Sequence, residues 1–180
     1  MDAKYFDIKG LVEIIPRVFE DERGYFLETY HQEKFKSIGI ECDFLQVNQS
    51  FSVKNVLRGL HFQRPPYAQA KLVRVVTGKA LDIAVDLRAG SDTYGQHQAC
   101  ILDAKKKNMF FIPEGFAHGF LALEECIFQY QCSNVYHQAS EGGIIWNDAD
   151  LNIDWGIEKP LVSDKDIILQ SFHAFDKHSE

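Results

Sequence analysis

Leu81-Asp82-Ile83-Ala84-Val85-Asp86-Leu87 alternates without a break. Leu81, Ile83, Val85 and Leu87 fall on one face, and Asp82, Ala84 and Asp86 on the other. A period of two is the signature of a β-strand, and here it predicts a sheet with one buried side. The same reading extends outward. Residues 44–51 alternate too, with Gln46, Asn48 and Ser50 gathered on one face. Further strands are predicted over 25–30, 56–62, 71–77, 97–103, 108–112, 118–123 and 127–135. Gly78, Gly90, Gly95 and the run Lys105-Lys106-Lys107-Asn108 read as turns. Many short strands between turn signals imply a mainly all-β chain folded as an antiparallel sandwich or barrel.

Helices are few. One is predicted near 31–38, where Phe35 and Ile38 form a small apolar stripe and Gly39 is a stop signal. A second short helix is predicted to begin near Ser163, whose hydroxyl can cap it, with Asp164 favourable in the first turn. The tail from His173 onwards is polar and is expected to fray. No repeat, low-complexity tract or linker interrupts the chain, so residues 1–180 read as one domain.

Composition narrows the function classes. The 180 residues suffice for one real core, and 46% hydrophobic with 25% charged residues is the balance of a soluble globular protein. A net charge of −7 argues against general nucleic-acid binding, but leaves room for a local basic pocket holding one phosphate-bearing small molecule. No apolar run approaches the roughly 18 residues of a membrane span. The N-terminus, Met1-Asp2-Ala3-Lys4-Tyr5-Phe6-Asp7, has no signal-peptide core, so a cytoplasmic location is expected. Cys42, Cys100, Cys126 and Cys132 form no CxxC pair, which favours free thiols in a reducing compartment over two disulfides.

Two motifs carry the chemistry: Arg58-Gly59-Leu60-His61-Phe62-Gln63, and Pro113-Glu114-Gly115-Phe116-Ala117-His118-Gly119, with Lys71 between them. Their spacing resembles that of the cupin barrels. That pattern has HxH, then an acidic residue with a glycine seven positions on, then PxGxxH. Here HxH becomes His61-Phe62-Gln63, the acidic position becomes Lys71, Gly78 follows seven residues later, and His118 is the last histidine. Replacing an anionic ligand by an ammonium strongly weakens a divalent-metal site, so no metal is expected. Either histidine alone reads as a satisfied core residue. Together with Lys71 and Arg58 they read as a site for proton chemistry.

Seven stretches in order extend the resemblance over nearly the whole chain. They are Asp21-Glu22-Arg23-Gly24, Gln46-Val47-Asn48-Gln49-Ser50, Arg58 to Gln63, Lys71-Leu72-Val73-Arg74, Pro113 to Phe120, Glu141 to Asp148, and Ser163-Asp164-Lys165-Asp166. On these the chain resembles the dTDP-4-dehydrorhamnose 3,5-epimerase family. The resemblance implies a cupin-type antiparallel jelly-roll barrel with a few short helices, a homodimer and no cofactor. It also implies a nucleoside diphosphate sugar as substrate, a dTDP-sugar being expected, with inversion of the two carbons flanking a C4 ketone. A relative that inverts only C3 or C5 would carry the same motifs.

The resemblance also assigns roles. His61 is the base, since imidazole titrates near working pH, and Asp166 is its dyad partner. Lys71 stabilises the enolate, and His118 adds a hydrogen bond near the same oxygen or orients the sugar. Seven tyrosines compete for the acid on the opposite face, and sequence alone does not choose among them. The resemblance picks Tyr130, with one residue fewer than the family pattern between it and His118, absorbed in a loop around Glu124. For binding it implies Arg58 and Arg23 for the diphosphate, and Gln46 and Asn48 near the nucleotide. Phe26 would stack on the base, Glu28 would accept a hydrogen bond, and Glu141 and Lys165 would lie further out. Part of segment 23–28 is implied to reach the partner's site.

Overall fold

The alternating stretch lies inside one of two facing sheets. In the computed structural model, which describes residues 1–176, it forms β8 (Lys79–Asp86). Its sheet runs β13 (Glu141–Gly143), β6 (Leu57–Gln63), β11 (Phe116–Ala122), β8 and β9 (His97–Asp103). The facing sheet runs β1 (Asp2–Tyr5), β2 (Val12–Ile15), β10 (Met109–Ile112), β7 (Lys71–Thr77), β12 (Cys126–Cys132) and β5 (Gln46–Ser52). A separate hairpin pairs β3 (Val18–Asp21) with β4 (Gly24–Leu27). All strand pairs within these sheets are antiparallel, as expected for a jelly roll.

The expectation of one buried side fails for β8. Asp82, Ala84 and Asp86 face inward and are fully buried, and so are Ile83 and Val85 on the outer face. The outer face is covered by the chain after residue 143, where Ile144, Leu151 and Trp155 pack on Leu57, Leu60, Ile83 and Val85. Between the sheets, Val73, Val75 and Phe128 meet Ala84, Phe116 and Phe120. The rings of Phe120 and Phe128 stack at 3.9 Å. The outer face of the longer sheet is partly covered by α1 (Gln32–Lys36), whose Phe35 packs with Ile14, Leu72 and Met109. Gly39, at φ +79°, follows α1 closely, as the sequence indicates.

Two glycines matter to the site. Gly78 alone joins β7 in one sheet to β8 in the other; a Cβ there would lie 2.0 Å from the Glu125 carbonyl oxygen. Gly59, at φ +132°, sits in a bulge of β6. The register passes from Phe120↔Arg58 to His118↔His61, so three steps along β6 match two along β11. The extra residue puts Arg58 and His61 on the inner face together, while Leu57, Leu60 and Phe62 join the outer cluster.

The tail is more ordered than expected: Phe172–Asp176 forms α3, Phe175 packs edge-on to Phe62, and the Tyr94 hydroxyl donates to Asp176 at 2.8 Å. The rest of the expected frayed tail, 177–180, lies outside the described residues. β1, β2, β3 and β13 lie outside the predicted strands, and none exceeds four residues. All four cysteines are free thiols. Among the described residues, no helix is long and apolar enough to cross a membrane.

Candidate active site

The inner faces of β5, β6, β7, β11 and β12 line a cavity with two lobes of about 330 and 320 Å³. Both lobes share His61, Lys71, Tyr130 and Glu141. Arg58, His118, Phe120 and Asp166 complete the first, and Gln46, Asn48, Gln69 and Tyr136 help to line the second.

His61 Nε2 lies 2.7 Å from Asp166 Oδ1. Asp166 reaches it from α2 (Asp164–Ile167), where Ser163 caps the helix as expected, its hydroxyl accepting from the Asp166 amide at 3.2 Å. The second carboxylate oxygen of Asp166 accepts from the Gly59 amide at 3.2 Å. Burial works to raise the Asp166 carboxyl, but His61, the Gly59 amide and Ser163 outweigh it and hold it below the usual carboxylate range. Asp166 is therefore an anion that fixes the ring, and Nδ1 is left as the nitrogen able to take a proton.

Tyr130 faces the same cavity from the opposite sheet. The parity read from sequence holds: Phe128, Tyr130 and Cys132 point inward. Burial pushes the Tyr130 hydroxyl above its ordinary pKa, so it holds its proton at neutral pH. The turn around Glu124 is tight, since β11 ends at Ala122 and β12 begins at Cys126. Lys71 lies on β7, paired in register with Cys132. Burial pulls its ammonium below the ordinary lysine range, while surrounding negative groups pull it back up.

His118 has one of its two ring nitrogens committed within the chain. Its Nε2 is 2.8 Å from Asp82 Oδ2, so only Nδ1 remains for a ligand. Burial pulls this imidazole below its ordinary pKa, with Asp82 working against the shift. Gln63, at the second histidine position of the cupin pattern, is a clamp. Its Nε2 donates to the carbonyls of Tyr67 and Val135, and its Oε1 accepts from the His137 amide. With both imidazoles turned to carboxylates, an ammonium at the acidic position and Gln63 committed to backbone, this donor set does not fit a divalent ion.

The expected binding residues divide into two groups. Arg58 lines the first lobe, steadied by Ser52 Oγ at 3.1 Å and the Phe51 carbonyl at 3.2 Å. Gln46 and Asn48 line the second, hydrogen-bonded to each other at 2.9 Å. Glu141 and Lys165 meet at 2.7 Å by the cavity, and the Tyr136 hydroxyl donates to Glu141 at 2.9 Å. Arg23, Phe26 and Glu28 do not join them within this chain. Arg23 pairs with Asp21 in the hairpin, Glu28 pairs with Lys34, and the Phe26 ring is 64% exposed. Sequence reasoning missed Tyr136 and Asp82. Tyr136 carried no signal beyond being one tyrosine of seven, but Asp82 stood on the polar face of the alternating stretch.

The family model described as dTDP-4-dehydrorhamnose 3,5-epimerase matches residues 5–174. A protein of that name from Methanothermobacter thermautotrophicus is 50% identical over 163 residues, covering 88% of each chain. The Legionella pneumophila dTDP-6-deoxy-D-glucose-3,5-epimerase, solved in complex with dTDP-4-keto-L-rhamnose, superposes with a TM-score of 0.93 at 39% identity, covering 98% of this chain and 95% of that one. A 3'-monoepimerase from Streptomyces bikiniensis, solved with dTDP-quinovose, gives a TM-score of 0.90 at 31% identity, covering 97% and 89%.

Proposed function

The chain belongs to the dTDP-4-dehydrorhamnose 3,5-epimerase family, and from that premise we propose that it inverts C3 and C5 of dTDP-4-dehydro-6-deoxy-D-glucose to give dTDP-4-dehydro-L-rhamnose. The observation that carries the residue roles is a carboxylate-held imidazole, His61, and a protonated phenol, Tyr130, on facing sheets and lining one cavity, with Lys71 on the strand beside that of Tyr130. A C–H beside a ketone is a weak acid, so the reaction needs a base, a place for the enolate charge and a proton on the other side. His61 Nδ1 takes the proton while Asp166 stabilises the imidazolium. The enolate oxygen draws on the Lys71 ammonium, which counts for far more in a dry cavity than in water. Tyr130 returns a proton to the opposite face. Arg58 meets the diphosphate, and Gln46 and Asn48 the nucleotide. Solvent takes the proton from His61 and restores that of Tyr130 before the next inversion, so the cycle requires no cofactor.

We also propose that the working unit is a homodimer. Arg23, Phe26 and Glu28 lie outside the chain's own cavity, on a hairpin that exposes Phe19, Tyr25 and Phe26. The edge strand β5 exposes Val47 and Phe51 on its outer face. A second copy would cover this surface and bring segment 23–28 to the partner's cavity.

Proton NMR of the sugar during turnover in deuterium oxide tests the reaction. Deuterium is expected at both C3 and C5. The likeness to the 3'-monoepimerase supports a second reading, inversion of one carbon, and label at one position alone would select it. No label at either carbon would sink both.

A further inference from the structure

Asp82 and Asp86 share the inner face of β8 and are both fully buried, but they are held very differently. Asp86 accepts from Arg88, Ser91 and Thr93, and so ties down the loop that follows it. Among the described residues the Asp82 side chain has a single hydrogen-bond partner, His118 Nε2 at 2.8 Å. Its other oxygen, Oδ1, is buried with no hydrogen-bond partner among the described residues. An anion buried on one hydrogen bond is costly, and a structural role would be served better by an apolar or amide side chain.

The surrounding charges say what it balances. Lys71 from β7, His118 from β11 and His61 from β6 bring cationic or titratable nitrogen to this region. Glu141 from β13 is already paired with Lys165. Burial pushes up the thiols of Cys132 from β12 and Cys100 from β9, which keeps them neutral. His61 has its own carboxylate in Asp166. Asp82 is left as the acidic group facing Lys71 and His118. On balance burial holds its carboxyl above the ordinary carboxylate range, with His118 and then Lys71 working against the shift.

Resting on the epimerase reading, we propose that Asp82 is a positioning residue. It holds His118 by the Nε2–H, leaving Nδ1 as the ring nitrogen that meets the sugar, and it is the counter-ion that keeps the Lys71 ammonium charged for the enolate.

Asp82→Asn in the full chain is the test, assayed beside the wild type. The amide preserves shape and removes charge. Expected are a fall in kcat of about 10²-fold, unchanged binding of dTDP, and a basic limb of the kcat–pH profile moved to lower pH, because Lys71 loses the anion that raises its pKa. Unchanged kcat with an unmoved profile overturns the proposal. So does a fall in kcat with an unmoved basic limb, which would mean a merely structural role. A wild type that exchanges no sugar proton would sink the epimerase reading instead, so the two failures are distinct. If the variant does not fold, heteronuclear NMR of the wild-type ring nitrogens decides. His118 should carry its proton on Nε2, and a proton on Nδ1 alone overturns the proposal.

Discussion

His61 Nε2 and Asp166 Oδ1 stand 2.7 Å apart although 105 residues separate them in the chain. The C-terminal segment closes that distance. It packs over the outer face of the five-stranded sheet and sets the capped helix α2 beside β6 before continuing into α3. The carboxylate decides which nitrogen of His61 is the base. His61→Asn should remove exchange at both carbons. Asp166→Asn should keep the hydrogen-bonding shape but lose the imidazolium's partner, lowering kcat by about 10²-fold or more. Deuterium incorporation followed by NMR measures both, and exchange persisting unchanged in His61→Asn would show that the base lies elsewhere.

Tyr130 makes a separable contribution. It is a proton donor on the sheet facing His61, and burial keeps its hydroxyl protonated. Tyr130→Phe removes one oxygen from a cavity wall without disturbing Phe128 or Cys132. Loss of C–H label should survive in part while net inversion of configuration falls sharply. Equal loss of exchange and inversion would assign Tyr130 to binding.

Lys71 trades stability for function. Its folded pKa lies below the unfolded value because burial disfavours the ammonium. The unfolded chain therefore binds more protons than the folded chain in the window just below the ordinary lysine pKa. Across that window this residue makes stability rise with pH, and at neutral pH it costs stability. Activity has the opposite dependence, since the enolate needs the cation. Lys71→Met should raise the melting temperature at pH 7 and lower kcat by roughly 10²–10³-fold. The wild-type rate should fall with rising pH below the usual lysine range near ~10.4. A Lys71→Met chain that is less stable than wild type would contradict the account of its burial.

Gly59 links the fold to the site. A Cβ on it would sit 2.6 Å from the Gly119 Cα, and its φ of +132° belongs to glycine. The bulge it permits is what turns Arg58 and His61 to the same face. Gly59→Ala should destabilise the fold by about 2–3 kcal/mol and should cost activity even where folded protein remains. Denaturant titration and turnover per folded molecule separate the two losses. Wild-type turnover in the folded fraction would show that the bulge does not need glycine.

What could be read from sequence follows from the range over which each signal acts. Strand patterning is local, so β6, β7, β8 and β9 were legible within a residue or two, whereas the strand read over 127–135 stops at Cys132. β2 and β13, of four and three residues, escape the pattern, although the equally short β4 and β10 fall within predicted strands. The cover over β8 was not legible, because a strand cannot announce what packs on its outer face. The same limit hid the His118–Asp82 pair. Phe120 lies opposite Asp82 in register, and only the side chains' shared inward direction brings the imidazole to the carboxylate. His61 and Asp166 were joined by resemblance, since nothing in their spacing requires contact. The bulge at Gly59 breaks the parity rule, so the faces of Arg58 and His61 could be known only from coordinates.

The hairpin residues offer the sharpest test of the dimer. Arg23 and Phe26 are exposed and remote from this chain's own cavity, so a single chain has no use for them in binding its nucleotide. If they serve the partner's site, Arg23→Ala combined with Phe26→Ala should weaken dTDP-sugar binding and leave the melting temperature nearly unchanged. Mixing that chain with His61→Asn then gives an informative outcome. In a mixed dimer, one cavity has a wild-type base and receives a wild-type hairpin from the other chain, while the second cavity lacks both. Random pairing of equal amounts gives roughly half mixed dimers, each with one complete site, so about a quarter of wild-type activity should return. Two inactive variants that stay inactive after exchange of subunits would mean that segment 23–28 serves its own chain.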